Sequence, residues 1–489
     1  MNELLLLLLT PLLGAVIIFL LPSTNLQGLR TLALAFSSLT LLISLAIYPS
    51  FSLTTANIQL PLTYQWNQNL GTTFSLGIDG FSYPLLILTT LLTLIALLAS
   101  KQITTYQRGY YGLILLLEAA TLGVFMAQDW ALFYILWELV LIPLFFLLDR
   151  WGGKERQAAS LNFVLYTMGG SVFLLLSLLV LFDDTTYHQF TFTAFREAAL
   201  KLDASEQALL LAGFIIGFGV KLPLFPLHGW LPLAYTQAPM PVSLLLSGIL
   251  SKMGAYGLIR AAELFPAGMQ LLQPILITLG AIGIIHGGLL AWRQTHLKTM
   301  IAYSSFSHMG MVMVGIACLN VMGVTGAVVQ ITAHALTAST LFLLAGWLKQ
   351  HTGTYELSAY SGLAVKMPRL AVLLGLALAA GIGIPASSGF IAEIHTLLGS
   401  YSYHWLLPVL LALGMLITAT YSLSFMRSFS GPTPSALAKV NDISRTELTV
   451  ALVPLLVVWG IGLYPSPLLH LSQTSIEYFT QVLLTGWTQ

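Results

Sequence analysis

Charge is scarce in this chain. Of its 489 residues only 8% are Asp, Glu, Lys or Arg, against roughly 25% in an ordinary soluble domain. Nineteen Lys and Arg nearly cancel eighteen Asp and Glu, leaving a net charge of +1. That is too little charge to cover a soluble surface, and there is no basic face for nucleic acid. Cysteine is nearly absent. Cys318 stands alone, which excludes an internal disulfide, a Cys-ligated iron–sulfur cluster and a thiolate zinc site. No Walker A loop and no dinucleotide fingerprint occurs. The nearest approach, Gly217-Phe-Gly219-Val-Lys221, lies in an apolar run and has no third glycine. The chain is therefore expected to hold no nucleotide, flavin or metal, and to work with ordinary side chains and water.

What fills the chain instead is apolar: 57% of its residues are hydrophobic. A helix needs about twenty such residues to cross a bilayer. Runs of that kind recur from residues 3–21 to residues 448–470, and imply an all-α polytopic membrane protein of about fourteen transmembrane helices. Lys and Arg in the connecting loops set the orientation. Loops after odd-numbered spans carry Arg30, Lys101, Arg108, Arg150, Lys154, Arg156, Arg293, Lys298, Lys349, Lys366, Arg369, Arg427, Lys439 and Arg445, which is fourteen. Loops after even-numbered spans carry Arg196, Lys201 and Arg260, which is three. This bias places both termini on the non-cytoplasmic side.

Two spans look broken. The seventh contains Val220-Lys221-Leu-Pro223-Leu-Phe-Pro226-Leu-His228, where two prolines remove helical hydrogen bonds. The twelfth contains Gly381-Ile-Gly383-Ile-Pro385-Ala-Ser-Ser-Gly389. Pro223 and Pro385 lie 162 residues apart, close to the separation of the fourth and ninth spans. Interrupted spans at matching positions of two halves point to inverted repeats around a central site. The expected division is a three-span segment at 1–109, five-helix repeats at 110–262 and 263–430, and a C-terminal span and tail at 431–489. The blander alternative is a pair of proline kinks in packed helices. Each break, however, lies beside an ionisable residue.

A charge at mid-bilayer costs roughly 2.5–3.5 kcal/mol on insertion scales, so it persists where it is paired, wetted or used. Glu138 and Lys221 could form an ion pair across helices. Burial lowers a lysine pKa and a nearby carboxylate raises it, so a partner that approaches or retreats would load and unload a proton. The alternative is a static pair that fixes packing. Lys252 has no close sequence partner and reads as a relay. Glu393 follows the second break and could pass the proton onward. His228, His308 and His334 are possible relay groups, since an unperturbed imidazole titrates near pH 6.5, or else satisfied packing groups. Glu118 and His395 rank lower, and Asp129 lies at the junction of two spans.

At these residues the chain resembles the antiporter-like membrane subunits of respiratory complex I. The resemblance rests on Gln128-Asp-Trp through Trp137-Glu138-Leu-Val-Leu-Ile-Pro143, on Val220-Lys221 through Trp230-Leu-Pro232, and on Ile249-Leu-Ser-Lys252-Met-Gly-Ala-Tyr256-Gly-Leu-Ile-Arg260. It rests further on Leu297-Lys through Tyr303-Ser-Ser-Phe-Ser-His308-Met-Gly310 and on Ala333-His334. An acid at Glu393, where the L- and N-type relatives typically carry lysine, is similar to the M-type branch, the NuoM/NdhD family. The resemblance implies a non-redox, proton-translocating subunit of an NAD(P)H- or ferredoxin-linked quinone oxidoreductase. In it Glu138 pairs with Lys221, Lys252 relays and Glu393 ends the path.

The resemblance also implies no cofactor in this chain. Quinone, NAD(P)H or ferredoxin and Fe-S clusters are expected in partner subunits. The partners are the other membrane-arm subunits, including L-type and N-type antiporter-like chains, with lipid around them and no nucleic acid. The implied location is an energy-transducing membrane, a cyanobacterial thylakoid or a bacterial inner membrane. Two departures stand out. Trp230-Leu-Pro232 continues as Leu233-Ala-Tyr235, where the family has Asp-Ala-His, and His296 replaces the usual Asp before Leu297-Lys298. They suggest a specialised paralogue, such as the photosynthetic forms that serve carbon dioxide uptake. The rival readings are a subunit of a multi-subunit sodium/proton antiporter, a structural scaffold whose buried charges only specify assembly, and a redox subunit holding its own haem or quinone.

Overall fold

The computed structural model describes residues 2–21, 26–67, 69–432, 437 and 440–485; Lys439 of the charge bias lies outside them. Among the described residues thirteen helices are long and apolar enough to cross a membrane, from Glu3–Leu20 to Arg445–Leu463. The shorter apolar helix Pro368–Ile382 belongs to the twelfth span. Both expected interruptions are present. The helix Ala204–Lys221 ends at Lys221 and the chain becomes helical again only at Leu231–Gln237. The helix Pro368–Ile382 ends at Gly383, whose φ of +75° is left-handed, and Ser388–Tyr401 starts after a Ser387 N-cap. Glycine accepts that backbone without penalty. The chain divides into two units. One comprises Met1–Leu222, Ile249–Ile275 and His470–Gln489, the other Pro223–Gly248 and Leu276–Leu469.

In the first unit small residues let helices approach closely, as is usual where lipid removes the hydrophobic incentive to pack. A Cβ at Gly213 would meet the Ser177 hydroxyl at 2.1 Å, and one at Gly170 would meet Val220 at 2.7 Å. These glycines seat Arg156–Asp183 against Ala204–Lys221. Gly254 does the same for Ser251–Leu264: a Cβ there would lie 2.6 Å from the Phe218 carbonyl and the Leu222 amide. The helix bearing Lys252 is thereby pressed against the end of the helix bearing Lys221.

Two elements of this unit lie outside the expected all-helical plan. An antiparallel hairpin pairs Gln59–Asn67 with Thr72–Ile78. Asp129 clips it to the bundle, accepting from the Thr73 amide at 3.0 Å and hydroxyl at 2.9 Å. The other Asp129 oxygen caps the helix Trp130–Leu139 by accepting from Ala131 and Leu132 amides. Asp129 is thus an architectural acid. The expected C-terminal tail contains a further helix, Ser466–Thr485. Ser475 on it accepts from the Gly80 amide at 3.1 Å.

The second unit is built on a 32-residue helix, Val321–Thr352, most of whose residues are buried. At about 1.5 Å per residue it is roughly 48 Å long. Ser388–Tyr401 lies against it through small residues: a Cβ on Gly326 would sit 2.3 Å from the Thr396 hydroxyl. Two cations assigned to loops from sequence are buried. Lys298 is 2% exposed and Arg260 5% exposed. One moves from each side of the charge bias, so its direction survives. Lys298 donates to the Thr236 and Ala238 carbonyls, and so caps the C-terminal end of Leu231–Gln237.

Candidate proton-transfer site

In the first unit the break places Lys221 at a helix end, where its side chain is 1% exposed. Its ammonium donates to the Trp137 carbonyl at 2.8 Å and lies 3.6 Å from the Trp137 ring centroid. The carbonyl and the ring quadrupole replace the water that a buried ammonium loses. The direct Glu138–Lys221 ion pair expected from sequence is not among the ion pairs of the described residues. Glu138 instead accepts from the Ser171 hydroxyl. Ser171 in turn accepts from the Trp137 indole N–H at 3.2 Å. The acid and the base are therefore linked through Ser171 and Trp137. The link has the Ser171 hydroxyl at one end and the Trp137 carbonyl and π-face at the other. Ser171 and Trp137 were not assigned from sequence. The Trp137-Glu138 dipeptide was the only signal, and it says nothing of the partner helix.

Lys252 is fully buried and donates to the Ser251 hydroxyl at 3.1 Å. The helix before it opens into a π-helical turn at Leu246–Leu250. Such turns recur at functional sites because they leave a carbonyl out of the regular ladder. Glu118 is buried elsewhere in this unit, its carboxylate accepting from Ser37 at 3.4 Å.

In the second unit Glu393, His308 and His334 come together. All three line one small cavity with Gln330, Thr337, Gly381 and Gly389. The two imidazole rings are 5.5 Å apart, centroid to centroid. A neighbouring cavity shares His308, His334 and Thr337 and adds Ser304, Ser305 and Tyr421. The cavities measure about 10 and 20 Å³, room for on the order of one water each. The Ser305 and Thr337 hydroxyls, the Gln330 carbonyl oxygen and one Glu393 oxygen are buried without a protein partner. Buried polar atoms facing a cavity of that size call for water. The cluster thus combines titratable groups, hydroxyls and room for single waters, the components from which a proton relay can be built.

His228 stands apart from that cluster. It stacks on Phe306, with centroids 3.9 Å apart and planes at 6°, and its ring lies 5.9 Å from His286. His395 donates from Nδ1 to the Ile391 carbonyl of its own turn at 2.7 Å. The two departures have structural roles. His296 is the N-cap of Leu297–Ala317, its Nδ1 accepting from the Thr299 amide, as an Asp would. The Tyr235 hydroxyl donates to the Leu246 carbonyl at 3.1 Å, at the π-helical turn. No cluster of three or more metal-binding side chains occurs among the described residues.

Residues 127–418 match the family described as NADH:quinone oxidoreductase/Mrp antiporter, transmembrane. The chain belongs to that family. Among its relatives, NAD(P)H-quinone oxidoreductase chain 4 1 of a Picosynechococcus species is 41% identical, over 93% of this chain and 87% of the relative. Chain 4 2 of Thermosynechococcus vestitus is 39% identical over 94% and 88%. Among solved structures, a chain of respiratory complex I from Thermus thermophilus superposes with a TM-score of 0.90 at 29% identity, covering 98% of this chain and 99% of its own. A chain of the Mrp complex from a Dietzia species reaches 0.85 at 20% identity, covering 99% and 100%, and shows the shared fold alone. Family membership, the polytopic helical fold and the broken spans agree with what the motifs implied.

Proposed function

We propose that this chain is a non-redox, proton-translocating membrane subunit of an NAD(P)H- or ferredoxin-linked quinone oxidoreductase. Its relatives carry the name of such an enzyme's chain 4. The observation that carries the mechanism is Lys221: a buried ammonium at the end of a broken helix, separated from the Glu138 carboxylate by a reorienting hydroxyl and an indole. Electron transfer in partner subunits shifts the local field at Glu138. The Ser171 hydroxyl turns, the stabilisation of the Lys221 ammonium changes, and its proton leaves or returns. Lys252 takes the proton on. In the second unit His308, His334 and Glu393 move it through single waters, and Glu393 ends the path, as the family resemblance implies. His228 is an accessory relay.

Pumping one charge against 100 mV costs about 2.3 kcal/mol, so the cycle is driven from outside the chain. The finer arrangement we propose includes the repeats at 110–262 and 263–430, L-type and N-type neighbours, and lipid around the spans. It places the chain in a thylakoid or bacterial inner membrane with both termini on the non-cytoplasmic side. Quinone, NAD(P)H or ferredoxin and Fe-S clusters belong to the partners. The test is proton uptake by vesicles bearing the assembled Lys221→Ala complex. Fewer protons per quinone reduced are expected, and unchanged uptake rejects the assignment. Sodium-dependent activity without a quinone reductase would favour the antiporter reading.

A further inference from the structure

The helix Ser251–Leu264 carries Lys252, Tyr256 and Arg260 at successive fourth positions. That spacing puts them on one face, about 6 Å apart along the axis. All three are buried. Beyond Arg260 lies a cavity of about 470 Å³, lined by Asp79, Arg260, Glu263 and Arg196. This row leads from the Lys252 position to an open cavity of mixed lining that carries charged side chains. Read as a proton path it would let a proton leave the first unit directly.

The hydrogen bonds run the wrong way for that. Arg260 Nε donates to the Tyr256 hydroxyl at 3.1 Å, and that hydroxyl donates to the Phe125 carbonyl at 3.2 Å. The two remaining Arg260 nitrogens donate to Asp79 at 2.6 Å and Glu263 at 3.2 Å. A guanidinium only donates, and it keeps its protons at any working pH. The Tyr256 oxygen is thus occupied by an N–H that cannot be passed on, and its own proton points at a backbone carbonyl. A proton hop needs an acceptor at each step, and Arg260 supplies none. Asp79 and Glu263 stabilise the buried charge in place: Asp79 is itself held by Phe81 and Ser82 amides at 3.1 and 2.9 Å.

We infer that Arg260, held by Asp79 and Glu263, is a seal that closes the Lys252 end of the first unit to the 470 Å³ cavity. The seal rests on the proton path proposed above, and it obliges the proton to leave by another route. Arg260 is a positioning residue here, acting through Tyr256 and on no reacting atom.

The test uses the intact complex in liposomes with a pH-sensitive dye inside. Leak is read as the decay of an imposed pH gradient without any quinone substrate, so it does not depend on turnover. Arg260→Gln supplies an acceptor oxygen and admits cavity water. Several-fold faster decay is expected, with fewer protons pumped per quinone and quinone reduction maintained. Arg260→Lys should leak as well, because a buried amine, unlike a guanidinium, can release its proton and accept another. An assembled Arg260→Gln complex as tight as the parent overturns the seal. Glu263→Gln decides the case where Arg260→Gln fails to assemble. Because the guanidinium remains, the seal requires a tight complex with an unchanged proton ratio. A lost proton ratio with a tight membrane would make Glu263 an exit relay and overturn the proposal. Failure of the pumping assignment itself would show in Lys221→Ala, not in passive decay.

Discussion

Gly383 is the position where one added methyl group should do most. It ends the helix Pro368–Ile382 with φ +75°, and a Cβ built there would lie 1.9 Å from a Glu393 carboxylate oxygen. Gly383→Ala therefore acts twice. The left-handed backbone costs a residue with a Cβ roughly 1–2 kcal/mol. The carboxylate must also withdraw: real Cβ contacts essentially never fall below 3.0 Å, so it moves by at least 3.0 − 1.9 = 1.1 Å. Misplacement of a reacting group by about 1 Å can cost on the order of 10²-fold in rate. The variant should assemble, lose about 1–2 kcal/mol of local stability, and pump as poorly as Glu393→Gln. Proton uptake per quinone reduced, in vesicles holding the purified complex, reads this out. Gly375→Ala, earlier in the same helix and outside both cavities, is the control: its Cβ would meet only Met426 at 3.6 Å, an ordinary contact. A Gly383→Ala complex that pumps like the parent would refute the placement of Glu393 in the path.

Three further outcomes are expected. Asp129→Ala should lower the thermal midpoint of the assembled complex, since it removes a helix cap worth about 1 kcal/mol and two hydrogen bonds to the hairpin, whereas Asp129→Asn should recover most of the loss. Burial pushes the His296 imidazole down in pKa, with Glu356 opposing and Lys298 and Lys349 adding to the shift; the folded state then favours neutral His296, so its contribution is complete above the ordinary value near 6.5 and is lost as pH falls through the lowered folded value, and Thr299 amide exchange, relative to its intrinsic rate, should accelerate once pH falls below that lowered value in the parent but not in His296→Asn. Ser171→Ala should reduce proton uptake while leaving the Lys221–Trp137 carbonyl contact, because it cuts the link to Glu138 and strands the buried Trp137 indole N–H at a cost of about 1–3 kcal/mol; full uptake in that variant would exclude Ser171 from the coupling.

The sequence alone determined the environment and the candidate residues. An 8% charged, 57% hydrophobic chain can only be a membrane protein, because every span must satisfy its own backbone. The prolines around Lys221 and the glycines before Glu393 announced the two breaks, since both residue types act locally on the backbone. The buried acids and lysines were legible for the same reason: a charge in an apolar run is conspicuous wherever the run folds. The hairpin is also written there, in the alternation Leu62-Thr-Tyr-Gln-Trp66 and the turn at Gly71, but so short an alternation between two spans is a weak signal beside the long apolar runs.

Only tertiary structure decided who meets whom. Trp137, not Glu138, holds Lys221, because the Trp137 carbonyl and indole face lie at the helix end. Ser171 enters from a helix thirty residues away. Arg260 and Lys298, loop charges by sequence, are buried because Asp79, Glu263 and the Thr236 and Ala238 carbonyls await them. Composition and local backbone preference are properties of short stretches of chain. A hydrogen-bond partner is chosen by the packing of distant helices, and no single stretch carries that information.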